Sequence, residues 1–148
     1  MNNKPLYNAP ISYLHLNNAA KALELYEKAF GAIVVARINY PNDENKILHA
    51  CMKFGEVPVF ISDTNPEKGC GTASNTSYYM HVEDADASFD KAKKAGLEEI
   101  SAPQDMFWGD RMGTLKDAFG ITWSLAQRKQ EIPLDEIKRI AKQQGQAA

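Results

Sequence analysis

Two stretches of the chain, at 11–16 and 77–82, alternate in side-chain character with the period of a β-strand. In each stretch the aliphatic side chains share one face, and a tyrosine and a histidine share the other. The aliphatic positions are Leu14 and Leu16 in the first stretch and Met80 and Val82 in the second, opposite Tyr13 with His15 and Tyr79 with His81. The pattern predicts two half-buried strands of similar design.

An amphipathic helix pattern follows each strand. Asn18 and Asp84 are candidate N-caps, and apolar positions three and four residues apart come after them. Gly31 and Gly96 lie where each pattern stops, as a C-terminal cap does.

The strand and helix recur after a shift of 66 positions, which places Tyr13 on Tyr79 and His15 on His81. A period of this length is too long for a solenoid and indicates duplication of a half-domain. Each helix needs the aliphatic face of its strand to bury its own apolar side, so the tyrosines and histidines point to the other side of the sheet. A concave sheet face of this composition is typical of a ligand pocket.

The rest of each copy is strand-like, so the sequence predicts an α+β fold of two tandem βαβββ modules. Module 1 is expected at about 8–65 and module 2 at about 76–127, joined by a linker at about 63–76 within one domain, 1–148. Proline, early acidic residues and late basic residues predict a C-terminal helix at about 133–144. The further strands are expected at 33–39, 47–54, 57–62, 111–116 and 121–126.

Charge and composition narrow the functional classes. The 148 residues have a formal net charge of −2 with scattered basic residues, so no nucleic-acid surface is expected. No apolar run approaches the roughly 20 residues that cross a bilayer, and residues 1–10 lack a signal-peptide core. Cys51 and Cys70 form no Cys-x-x-Cys pair; we expect reduced thiols in a cytoplasmic protein, a disulfide between them being the alternative.

The most specific stretch is Phe107–Thr114, FWGDRMGT, leading to Asp117–Ala126, DAFGITWSLA. With Asn18–Tyr26 and Leu48–Ala50, it makes the chain resemble the vicinal oxygen chelate superfamily of glyoxalases, bleomycin-resistance proteins and dioxygenases, and within it the PhnB-like branch. One departure is Ala118, where the family turn usually has proline. The resemblance implies a curved mixed sheet around a pocket, a small organic ligand and a homodimer.

The metalloenzymes of this superfamily hold a divalent metal through His or Glu, two from each module. Carried over by position, the resemblance places these ligands at Ile11 and Ser77, near Phe60 and at Ser124. Isoleucine and phenylalanine cannot ligate, and neutral serine is a poor ligand for transition metals. We therefore expect neither the standard metal site nor a cofactor, and the resemblance implies no Lewis-acid chemistry.

The histidines His15, His49 and His81 are the candidate catalytic residues, since an unperturbed imidazole pKa of about 6.5 suits proton transfer at neutral pH. The alternative is structural, with histidines at equivalent strand positions hydrogen-bonded to neighbouring strands. A three-histidine metal site is a further alternative, although nothing in the sequence places His49 near the other two.

Aromatic and charged residues at 107–111 are a second group of candidates. Trp108 is expected to stack on a planar ligand and Arg111 to pair with its anionic group. The alternative is cross-strand packing with a surface Asp–Arg pair. Trp123 has the opposite strand parity to Ser124 and is expected in the core. The predicted ligand-binding set is Tyr13, His15, His49, Tyr79, His81, Phe107, Trp108, Arg111 and Ser124.

Three functions are compatible with these predictions. The first is a protein that binds a small organic molecule in an aromatic and histidine-lined pocket without catalysis. The second is a glyoxalase-type lyase or isomerase that uses a non-standard metal or histidine acid–base chemistry, with Arg111 stabilising an oxyanion. The third is a dimeric scaffold with a vestigial pocket. Fold alone does not choose among them.

Overall fold

The computed structural model describes residues 9–65, 73 and 75–147, with side chains up to residue 144. The chain divides into two compact units, Met1–Asn75 and Thr76–Ala148, and each contains one βαβββ module. That the two units make up one domain stays a prediction. Cys70 and most of the predicted linker lie outside the described residues.

Module 1 has one edge strand parallel to its neighbour and three strands in an antiparallel run. The strand order is β1-β4-β3-β2, and β1 pairs in parallel with β4. This pairing places Tyr13 opposite Phe60 and His15 opposite Ser62. The elements are β1 (Tyr13–Leu16), α1 (Ala19–Phe30), β2 (Ile33–Tyr40), β3 (Asp43–Phe54) and β4 (Val57–Asp63).

Module 2 repeats this topology with the order β5-β8-β7-β6, and Tyr79 lies opposite Ser124 in the parallel pair. The predicted α+β class and tandem βαβββ modules are confirmed. The strands form two four-stranded sheets because each first strand pairs with the last strand of its own module. The elements are β5 (Ser77–His81), α2 (Ala85–Ala95), β6 (Glu98–Asp105), β7 (Asp110–Lys116), β8 (Thr122–Arg128) and the C-terminal helix α3 (Leu134–Ala147).

The core of module 1 lies between α1 and one face of its sheet. Leu14 and Leu16 are at most 2% exposed, as their alternation predicts. The ring of Tyr26 in α1 lies 5.9 Å from that of Phe54 in β3, on this same face. Burial of these apolar groups is the main driving force for the packing of the helix.

The core of module 2 is built in the same way, with a closer approach between helix and sheet. A Cβ atom added at Gly113 of β7 would lie 2.6 Å from the ring of Phe89 in α2, so this contact requires glycine. Trp123 is 2% exposed, which confirms its predicted core position. Its indole N–H donates to the buried carboxylate of Asp117 at 2.9 Å, which also accepts from the amides of Phe119 and Ile121 in the β7–β8 turn.

Each of the two module helices is held at its N-terminus by a side chain from the end of the last strand. Asp63, which is buried, accepts from the amide of Ala19 at 3.1 Å and from the amide of Ile47 at 2.7 Å. In module 2 the Gln127 side chain accepts from the amide of Ala85 at 3.0 Å. These bonds satisfy amides that have no partner inside a helix.

The predicted N-caps differ in what they do. Asp84 caps α2 by accepting from the amide of Ala87 at 3.0 Å. Asn18 occupies the N-cap position of α1 but makes no capping bond with its side chain, and its φ of 64° is left-handed. Its predicted capping role is therefore taken by Asp63, from the far end of the module.

Several elements extend beyond their predicted bounds, and β3 and α3 extend the farthest. Strand β3 begins at Asp43 and not at 47, because the polar segment 43–46 pairs with the end of β2 without showing an apolar pattern. Helix α3 reaches Ala147 and not 144. At its start the Pro133 carbonyl accepts from the amides of Glu136 and Ile137, as expected for proline at a helix entry. None of the helices in the described residues is both long and apolar enough to span a bilayer.

We predict that Asp63→Ala lowers the free energy of unfolding by about 2–4 kcal/mol, since two buried amides lose their acceptor. Urea denaturation followed by circular dichroism measures this change. Asp90→Ala, at an exposed position on α2, is the matched control and should change stability by less than about 0.5 kcal/mol. Equal effects of the two substitutions would contradict the role given to Asp63.

Candidate functional site

The sheet face opposite the helix, called the open face below, holds a cluster of aromatic and imidazole groups in module 1. The Tyr13 hydroxyl and His49 Nδ1 are 3.1 Å apart. His15 Nδ1 lies 2.9 Å from the hydroxyl of Ser62, its partner across the parallel pair. Strand pairing and alternation thus bring two of the three candidate histidines to one tyrosine.

The rings of the tyrosine, the two histidines and Phe60 also pack against one another. The rings of His15 and His49 lie 4.6 Å and 5.6 Å from that of Tyr13, and His49 packs edge-on against Phe60 at 4.9 Å. His49 therefore lies beside Tyr13 and His15, which the sequence could not establish. Tyr13 remains 41% exposed, so the cluster is open on one side.

The open face of module 2 contains a cavity of about 330 Å³. Three of its lining residues were predicted: Tyr79 and His81 from β5, and Trp108 from the turn before β7. The lining residues are Tyr79, His81, Trp108, Asp110, Arg128 and Ile137. Aromatic walls beside a few charged groups are typical of a small-molecule site.

A chain of hydrogen bonds fixes the polar side of this cavity. The Trp108 indole N–H donates to the Tyr79 hydroxyl at 3.1 Å, and this hydroxyl donates to Asp110 Oδ2 at 2.5 Å. Asp110 is 7% exposed, and the ring of His81 lies 5.5 Å from that of Tyr79. The chain holds the tyrosine ring in place and directs one carboxylate oxygen toward it.

The turn that presents Trp108 depends on a glycine. Gly109 has a φ of 105°, and a Cβ there would overlap the carbonyl of Gln130. The Gly109 carbonyl accepts from the amides of Lys129 and Gln130. The segment that leads to α3 is thereby tied to the turn that carries the indole.

Burial raises the pKa of the Tyr79 phenol above its ordinary value, and the neighbouring Asp110 raises it further, partly opposed by the hydrogen bond from Trp108. A phenolate beside a carboxylate is unfavourable, so Tyr79 is a neutral hydrogen-bond donor at physiological pH. In this state it can orient a ligand or its neighbours but is not a ready base.

The structure places Arg111 away from the cavity. Its guanidinium pairs with Asp86 of α2 at 2.8 Å and with Asp105 of β6 at 3.3 Å. Asp110 and Arg111 are adjacent in β7 and so project to opposite faces, and only Asp110 reaches the open face. The predicted pairing of Arg111 with a ligand beside Trp108 does not fit this placement. The hydrogen bond from Arg111 instead holds the pKa of Asp86 below its usual range.

Phe107 and Ser124 lie next to residues that line the cavity. The ring of Phe107 packs edge-on against Trp108 with centroids 5.0 Å apart. Ser124 lies across from Tyr79 on the same face, with its hydroxyl 3.3 Å from that of Thr114. Neither residue lines the cavity described above.

The residues at the four family metal positions do not fit a metal. Ile11 has no donor atom, and Phe60 offers only a ring that is packed against its neighbours. Ser77 and Ser124 add two neutral hydroxyls, the second within hydrogen-bond distance of Thr114. Across the described ranges, no group of three or more His, Cys, Asp or Glu side chains could hold a metal ion.

Three residues of the cavity were not predicted: Asp110, Arg128 and Ile137. The alternation that starts at Ser124 would have reached Arg128 had the last strand been extended beyond 126. To predict Asp110, the register of β7 would have to be known, and to predict Ile137, the position of α3. No local sequence pattern gives either of them.

Comparisons with known proteins agree with this architecture. The sequence model of the Glyoxalase/Bleomycin resistance protein/Dioxygenase superfamily matches residues 14–125. An uncharacterised protein of Mycobacterium bovis is 34% identical over 142 residues, which cover 90% of this chain and 91% of that protein.

Solved structures show the same fold at lower sequence identity. TioX from Micromonospora sp. ML1 matches with a TM-score of 0.65 and 22% identity, over 81% of this chain and 99% of that chain. A PhnB protein from Bacillus cereus, described as a putative 3-demethylubiquinone-9 3-methyltransferase, matches with a TM-score of 0.64 and 16% identity, over 81% and 99% of the two chains. At these identities the likeness concerns the fold alone.

We predict that Asp110→Asn lowers the pKa of Tyr79, because a carboxylate that disfavours the phenolate is removed. Alkaline titration of the phenolate absorbance measures this, and Tyr79→Phe identifies the signal. Asp90→Asn, on exposed α2 surface, should leave the titration unchanged. The raised pKa also makes the stability of the fold depend on pH. Because the pKa of Tyr79 is higher in the folded than in the unfolded state, the stabilisation that neutral Tyr79 contributes is present in full below about pH 10. It is lost as the pH rises through the folded-state pKa. An unchanged titration in Asp110→Asn would contradict this coupling.

Proposed function

Because the chain belongs to the Glyoxalase/Bleomycin resistance protein/Dioxygenase superfamily, we propose that it binds a small, planar organic molecule on the open face of its second module. The observation that supports this most directly is the cavity of about 330 Å³ that Tyr79, His81 and Trp108 line. Its volume suits a ligand of one or two fused rings.

The hydrogen-bond chain supports a binding role because it orders the cavity before any ligand arrives. Trp108 and Tyr79 are held by each other and by Asp110, so their rings lose little conformational freedom when a ligand binds. Trp108 remains partly exposed, and its ring can contact a planar ligand. Binding here requires neither a metal nor a cofactor.

A second candidate function is acid–base catalysis of the lyase or isomerase type by the open face of module 1. The observation that favours it is the contact of the Tyr13 hydroxyl with His49 Nδ1, a tyrosine and an imidazole poised to share a proton. Under this alternative, His49→Gln abolishes turnover of a hemithioacetal substrate while the fold stays intact. Turnover that survives in His15, His49 and His81 variants alike would exclude it.

We also propose that the protein is a cytoplasmic homodimer. The resemblance to the superfamily supports the dimer, and so does the edge strand β2, where Ile33 and Val35 are 64% and 51% exposed. Light scattering coupled to size exclusion measures the assembly. The mass of a single chain at micromolar concentration would contradict the dimer.

We predict that N-phenyl-1-naphthylamine, a neutral fluorescent probe with a planar naphthalene ring, binds with one site in module 2 and that Trp108→Ala weakens its affinity about tenfold through lost ring contact. Fluorescence titration measures the dissociation constant. Ile100→Ala, which removes a 56% exposed apolar side chain from β6 of the same module, is the control and should leave the affinity unchanged.

Two results would contradict the proposal. One is the absence of saturable binding by the probe. The other is an affinity that does not change in Trp108→Ala, since the probe would then bind elsewhere. Circular dichroism of each variant establishes that the fold is retained.

A further inference from the structure

We propose that the cavity of module 2 selects planar organic molecules with a single anionic group, and that Arg128 binds this group. The inference rests on the proposed binding function and specifies the chemical class of the ligand. Arg128 belongs to no site predicted from the sequence.

Strand pairing fixes where Arg128 lies. It is the last residue of β8 and is paired with Asp110 at the start of β7. Its parity matches that of Ser124, which lies opposite Tyr79, so the side chain projects to the open face. Arg128 accordingly lines the cavity together with Trp108.

The two arginines of this region differ in what they contact. Arg111 is paired with two carboxylates on the helix-covered face. Among the ion pairs of the described residues, none involves Arg128. Its donors are therefore available to a ligand, and a guanidinium suits the flat geometry of a carboxylate or sulfonate.

Asp110 sets the orientation of such a ligand. Its Oδ2 accepts from the Tyr79 hydroxyl, and its negative charge repels an anion from that side of the cavity. The anionic group is directed to Arg128, while an N–H or O–H group of the ligand is favoured near Asp110. Because Asp110 and Arg128 carry opposite charges, the cavity has no excess positive charge that would bind a ligand with several anionic groups.

The remaining walls match a flat apolar body. Ile137 of α3 contributes an aliphatic side chain to the cavity lining. Trp108, His81 and Tyr79 contribute ring surfaces. Arg128 is itself exposed, so its pair with an anion stays open to water on one side, and the ring contacts of the ligand add to this pair.

The test compares two probes that share one scaffold. N-phenyl-1-naphthylamine is neutral, and 8-anilinonaphthalene-1-sulfonate adds one sulfonate to the same rings. Their dissociation constants are measured by fluorescence with the full chain, with Arg128→Gln and with Lys116→Gln. Lys116 is exposed at the other end of β7 and shares strand parity with Asp110, so its substitution is the matched loss of one positive charge.

We expect the sulfonate probe to bind about tenfold more tightly than the neutral probe, and we expect Arg128→Gln to abolish this preference while Lys116→Gln keeps it. Arg128→Lys, which keeps the charge but not the fork of donors, should retain part of it. Equal affinities for the two probes, or a preference that survives Arg128→Gln, would overturn the anion selectivity while leaving the binding function in place. Failure of both probes to bind would instead refute the binding function itself.

Discussion

In each module one helix, α1 or α2, covers one face of a four-stranded sheet. This constraint decides which side chains are buried and which remain on the opposite face. A β-strand sends successive side chains to opposite faces, so the residues that do not face the helix must face outward. Leu14 and Leu16 are buried under α1, and Tyr13, which precedes them and points to the opposite face, stays 41% exposed. The open faces, and with them the candidate sites, are a direct result of covering only one side.

The parallel pair that joins the first strand to the last strand of each module links this constraint to the helices. The last strand ends beside the start of the helix, and there Asp63 and Gln127 accept from the first helical amides of α1 and α2. The same pair brings Ser62 to His15 and Ser124 to Tyr79. One pairing therefore positions both the core and the open face.

The two modules have equivalent topology, but their open faces differ in chemistry. In module 1 the tyrosine contacts two histidines and a phenylalanine. In module 2 the equivalent tyrosine donates to a buried carboxylate and accepts from an indole. The first arrangement suits proton sharing, and the second suits a rigid wall for a ligand.

The sequence alone predicts the features that depend on local alternation, and it misses those that depend on register. The faces of Tyr13, Tyr79 and Trp123 follow from period two and are found as expected. Arg111 illustrates the limit: without the register of β7, its neighbour Asp110 could not be recognised as the residue that reaches Tyr79. Asp63 shows the same limit for stability, since a helix cap 44 residues away in sequence leaves no local pattern.

The most direct test of a ligand site on the open face of module 2 uses the two tryptophan indole N–H signals in a ¹H–¹⁵N spectrum. Trp108 lines the cavity, and Trp123 donates to Asp117 in the core of the same module. Addition of 8-anilinonaphthalene-1-sulfonate should shift the Trp108 signal in a saturable manner and leave the Trp123 signal in place. A Trp108 signal that does not move while the probe is bound would contradict the account, because the ligand would then occupy another surface.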